Sequence, residues 1–78
     1  MQFNVLLQHD FGEQTEDLDF LVNVDEEDCY EMAGENPVTT DIMKQVAVEY
    51  AIVRFFKQNH VFNIGDMITV LEVEEMYT

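Results

Sequence analysis

The residues with most chemical potential in this chain are its carboxylates. Seventeen Asp and Glu stand against three Lys and Arg in 78 residues, a net charge of −14. Twelve of the acids fall in residues 1–43, which hold no base: Asp10, Glu13, Glu16, Asp17, Asp19, Asp25, Glu26, Glu27, Asp28, Glu31, Glu35 and Asp41. Residues 44–78 hold the other five acids and all three bases, Lys44, Arg54 and Lys57. Carboxylates at this density have three uses. They can bind a cation, work as an acid–base pair, or present a field of negative charge to a basic surface.

The first two uses meet obstacles. An EF-hand loop needs Gly at position six and Glu at position twelve. Aligned on Asp25, those positions are Tyr30 and Asn36. His9-Asp10 and His60 do not form a zinc spacing, and there is no second Cys. No metal or cofactor is expected. An acid–base pair acting on a glycoside needs a cleft with an aromatic platform, and the chain has no Trp. A Ser nucleophile is excluded because the chain has no Ser. Cys29 sits between Asp28 and Glu31, whose charges raise a thiol pKa, so it reads as a small packed hydrophobe. The chain is therefore not expected to be an enzyme. His9 has the core-side parity of the first strand but stands at its end, and so reads as a hairpin-edge residue. His60 is placed to contact the C-terminal dipole of a helix. Arg54, the only Arg, is expected to pair with the protein's own acids, including across a dimer interface.

The same charge restricts partners. A chain this acidic repels nucleic-acid phosphates and anionic membrane surfaces, so its expected partners are basic proteins. No basic n-region or apolar h-region follows Met1, so no signal peptide is expected. The apolar run from Ile42 to Phe56 is interrupted by Lys44, Gln45, Glu49 and Arg54 and is too short to span a bilayer. One free thiol suits a reducing compartment, which makes the cytoplasm the expected location.

The elements that must position these residues follow from periodicity. Phe3, Val5 and Leu7 alternate with more polar neighbours, as do Leu18, Phe20, Val22 and Val24, which predicts two half-buried strands. The polar, Gly-containing segment from Phe11 to Glu16 predicts a hairpin connection. Asp25 can cap a short acidic helix ended by Gly34, with either Tyr30 and Ala33 or Cys29 and Met32 facing inward. After Pro37, Thr39 or Thr40 can cap a main helix running to Asn59, with Asp41 and Lys57 matching the dipole. This helix is apolar nearly all round, so a small sheet cannot cover it alone; a second helix or a partner subunit is expected. A turn at Asn63–Asp66 leads to a third strand over residues 67–74. Apolar residues on both of its faces predict a central or subunit-interface position. The expected fold is α+β, a single domain of order β-β-(short α)-α-β, with a small antiparallel sheet on one principal helix, assembled as a homodimer.

Charge runs are ordinarily solvated faces, but this one exceeds what solubility requires, a magnitude of about 2–8 for a small domain. Same-face strand residues such as Asp17 and Asp19 sit about 6.6 Å apart, and helix neighbours about 5–6 Å. B-DNA carries one charge per ~1.7 Å of axis, so an ordered acidic fold can imitate phosphate. With its small size, its base-free acidic half from Asp10 to Asp41 and its α+β order, the chain resembles small acidic phage-encoded DNA-mimic proteins. Among these it is most similar to the host-takeover type that occupies the DNA-binding arms of the bacterial histone-like protein HU. The resemblance implies an inhibitor that binds a basic DNA-binding protein through Asp10, Glu13, Glu16, Asp17, Asp19, Asp25, Glu26, Glu27, Asp28, Glu31 and Glu35. The alternative is an acidic adaptor or assembly subunit that recognises a basic protein without imitating DNA.

Overall fold

A computed structural model describes residues 1–58 and 61–77 of the chain. Two nine-residue strands, β1 (Gln2–Asp10) and β2 (Thr15–Asn23), form an antiparallel hairpin. Two helices follow, α1 (Glu26–Ala33) and α2 (Thr40–Lys57), and then a last strand, β3 (Met67–Met76). The sheet order is β2-β1-β3, with both pairings antiparallel. The fold is thus α+β, in the expected element order.

Alternation builds the core. Phe3, Val5, Leu7 and His9 of β1 all point to the helix side and are fully buried, joined by Phe20 and Val22 of β2. From α2 they meet Val46, Ala47, Ala51 and Phe55, residues whose spacing places them on one stripe of the helix. The hairpin turn is closed by the Phe11 N–H donating to the Gln14 carbonyl at 2.8 Å and the Gly12 N–H donating to Asp10 Oδ1 at 2.7 Å. Gly12 adopts φ +94°, a conformation that side-chain-bearing residues avoid.

The helix caps are those expected. Asp25 Oδ1 accepts from the Glu27 N–H at 3.0 Å, and Thr39 Oγ1 accepts from the Ile42 N–H at 3.3 Å. The Gly34 N–H donates to the Tyr30 carbonyl at 3.0 Å and ends α1. Cys29 and Ala33 are the inward residues of α1, one from each expected pair; Tyr30 is exposed and Met32 half-buried. The main helix ends at Lys57 with Gln58 as its cap; Asn59 and His60 lie outside the described residues.

Three expectations are corrected. Of the two positions expected for β3, the central one is corrected: β3 is an edge strand. Its apolar residues change face because of a bulge: Leu6 pairs with Glu72 and Leu7 with Val70, which leaves Leu71 as the extra residue. His9 is not a hairpin-edge residue. It lies at the end of the central strand, with only 1% of its surface accessible. Arg54 makes no ion pair among the described residues of its own chain; its Nη1 donates to the Leu21 carbonyl of β2 at 2.6 Å. The main helix finds its second cover in α1, which packs on it while the sheet covers the other side. Val53 and Phe56 are left exposed on its outer surface.

Candidate functional site: two acidic surfaces

The acids divide between two layers. Antiparallel partners share a face, so the register defines what the helix-free side of the sheet carries. Across it run the rows Asn23–Gln2–Met76, Leu21–Asn4–Glu74, Asp19–Leu6–Glu72, Asp17–Gln8–Thr69 and Thr15–Asp10–Met67. This open face therefore displays Asp10, Asp17, Asp19, Glu72 and Glu74 and no Lys or Arg. Adjacent strands lie about 4.8 Å apart, so the β2 and β3 carboxylates form two columns roughly 9.6 Å apart, flanking Asn4, Leu6 and Gln8 of β1, with Asp10 at the end of that strand. That separation falls between the widths of the B-DNA minor and major grooves, about 6 and 12 Å.

Amides of the central strand hold one column in place. Asn4 Nδ2 donates to Asp19 Oδ1 at 2.9 Å, and Gln8 Nε2 donates to Asp17 Oδ1 at 3.2 Å. Such neutral donors orient a carboxylate without neutralising it. Both acids remain exposed.

The second surface is α1. Asp25 caps it, and Glu26, Glu27 and Asp28 fill its first turn, where the dipole favours negative charge. Asp28 accepts a short hydrogen bond from the Tyr50 hydroxyl of α2, and the Asp25 N–H approaches the same oxygen at 3.4 Å. Holding its proton against Asp28, with partial burial adding to the effect, raises the Tyr50 pKa above its ordinary value of 10.0. Glu26, Glu27 and Glu31 are exposed.

A shallow recess lined by Met1, Gln2, Glu26, Glu75, Met76 and Tyr77 joins the two surfaces at one end of the sheet. Tyr77 and Tyr30 stand exposed beside these acids. Of the residues expected to bind a partner, Asp10, Asp17 and Asp19 lie on the open face. Glu16 pairs with His9 and so belongs to the helix side of β2, although exposed; Glu13 is in the hairpin turn. Asp25, Glu26, Glu27, Asp28 and Glu31 belong to α1, and Glu35 follows it. The structure adds Glu72 and Glu74, which are not among the residues expected to bind a partner. Their shared parity was readable in the sequence; their place beside Asn4 and Leu6 required the pairing.

The other titratable groups do structural work. His9 Nε2 and Asp66 Oδ2 lie 3.0 Å apart, at hydrogen-bond distance. Phe11, Phe55 and Phe62 surround the imidazole, with ring centroids 3.9, 5.3 and 5.4 Å away. Asp66 also accepts from the Asn63 N–H at 2.9 Å. That backbone bond, then the contact with His9, holds its pKa below the usual carboxylate value. The Cys29 thiol is pushed up first by burial and then by Asp28, Asp25 and Glu26, away from a reactive thiolate. No group of three or more His, Cys, Asp or Glu side chains among the described residues is arranged to hold a metal ion. No helix among them is long and apolar enough to cross a membrane.

No protein-family model, curated protein or solved structure matches the chain.

Proposed function

We propose that this protein is a DNA mimic: a non-enzymatic inhibitor that binds a basic nucleic-acid-binding protein by presenting carboxylates in place of phosphates. The observation that carries this reading is the open sheet face. Four carboxylates, Asp17, Asp19, Glu72 and Glu74, stand there in two columns with no base among them, while Lys44, Arg54 and Lys57 all belong to α2 on the far side of the core. Like charges gathered on one face oppose folding unless a partner uses them. The recess at Glu26 and Glu75 extends the surface towards α1, and Tyr77 and Tyr30 supply exposed aromatic anchors beside the charge.

The first target to test is the histone-like protein HU, in the cytoplasm of a host bacterium, with the inhibitor acting as a homodimer. Competition between the purified protein and a labelled DNA duplex for HU tests the reading. The expected result is displacement of the duplex, weakening steeply as salt rises. No displacement from HU or from other basic DNA-binding proteins at low salt overturns it. An adaptor that reads a basic protein without imitating DNA would bind its target yet leave the target's DNA bound.

A further inference from the structure

The sheet has two free edges, and they differ. β2 carries Glu16, Asp17 and Asp19, and Arg54 lies against it through the Leu21 carbonyl. Such charges are how natural sheets prevent another strand from pairing. β3 carries no such charge over its first half, which ends at the Leu71 bulge. Met67, Ile68, Thr69, Val70 and Leu71 form an uncharged, largely exposed stretch, and the charges of the strand, Glu72, Glu74 and Glu75, are confined to its second half.

We propose that the β3 edge is where a second copy of this chain docks, by antiparallel β3–β3 pairing across a two-fold axis. The charge distribution selects that occupant. Antiparallel pairing lays the neutral half of each strand along the acidic half of the other, so the strand carboxylates of one copy face Met67–Leu71 of the second. A parallel pairing in register would set Glu72, Glu74 and Glu75 against themselves. Antiparallel self-pairing of β2 over its full length would set Asp19 directly against itself, and like charges opposite each other destabilise a sheet. In a chain of net charge −14, the uncharged half of β3 is a stretch of edge that a second copy can approach without facing a carboxylate there. The two sheets then become one of six strands, roughly 24 Å across, with the open faces side by side. This deepens the homodimer part of the proposed function, and it places the dimer at the β3 edge rather than at Val53 and Phe56 on the outer surface of α2.

Sedimentation equilibrium of the purified chain alone, at micromolar concentration and moderate salt, tests the docking. Its outcome is independent of whether any DNA-binding protein is inhibited. The wild type is expected at twice 9.1 kDa. Thr69 is exposed at the centre of the neutral half, so T69E adds a carboxylate facing the second copy's acids, whereas T69K adds a cation facing them. The dimer should weaken on the order of tenfold in T69E and tighten in T69K. Q45K, the same charge change on the exposed surface of α2, should tighten it less than T69K. Circular dichroism identical to wild type removes misfolding as the cause. A wild type sedimenting at 9.1 kDa overturns the proposal, as does a dimer indifferent to T69E, or one to which T69K and Q45K do the same.

Discussion

The two acidic surfaces are built differently. On α1 the carboxylates have internal work: Asp25 closes the first turn, Asp28 holds the Tyr50 hydroxyl, and Glu26 and Glu27 meet the positive end of the helix dipole. On the open sheet face, Asp17 and Asp19 are oriented by amides, while Glu72 and Glu74 make no hydrogen bond or ion pair within the described residues. Helix formation therefore accounts for much of the charge on α1. On the open sheet face Asp10 closes the hairpin turn and Asp17 and Asp19 take amide hydrogen bonds, but the Glu72 and Glu74 carboxylates have no such internal role among the described residues. On the proposed reading, the charge of the sheet face serves a partner.

Neutralising that face should have the largest effect. The quadruple variant D17N/D19N/E72Q/E74Q is expected to lose competition with DNA by at least about 100-fold, since hydrogen bonds to charged groups contribute roughly 1.5–3 kcal/mol each. Its melting temperature should hold or rise as repulsion is relieved. The triple α1 variant E26Q/E27Q/E31Q should lose less. An equal or greater loss from α1 would reverse the comparison.

Stability should show the opposite ranking. Tyr50→Phe removes the bond to Asp28 and should cost about 1 kcal/mol in denaturant unfolding, without changing DNA competition. Asp25→Ala should cost about 1 kcal/mol through the lost cap, and Asp25→Asn almost nothing, because Asn caps as well as Asp. If either Asp25 variant abolished binding at unchanged stability, α1 would be a contact surface in its own right.

The smallest effect concerns the His9–Asp66 clamp, which ties the segment before β3 to the central strand. The Asp66 pKa is lower in the folded chain than its ordinary 3.8, so the stability it contributes is fully present above that value. That contribution is lost as the pH falls through the depressed folded value. Thermal melts from pH 7 to pH 3 should show a loss at the acid end that Asp66→Asn lacks. A difference already complete at pH 6 would contradict this assignment.

Much of the fold was legible along the chain because it rests on local signals. The alternation of Phe3, Val5 and Leu7 and the capping residues Asp25 and Thr39 each report on their own neighbourhood. What was missed depends on residues far apart. His9 meets Asp66 across 57 positions, and its burial follows from β1 being the middle strand, which strand order alone decides. The apolar residues on both sides of β3 looked like central burial because a bulge at Leu71 has no local signature. The candidate site was half legible for the same reason: Asp17 and Asp19 were recognised from the hairpin, but Glu72 and Glu74 join them only through a pairing between the first strand and the last.

The central claim is that the open face of the sheet meets the basic groove of a DNA-binding protein. Amide chemical-shift mapping of the isotope-labelled chain, titrated with unlabelled HU, tests it most directly. The expected result is that perturbations cluster on Asp17, Asp19, Glu72 and Glu74 and extend past Tyr77 to Glu26, sparing the exposed side of α2. Perturbations centred on Val53 and Phe56, or none at all, would contradict it.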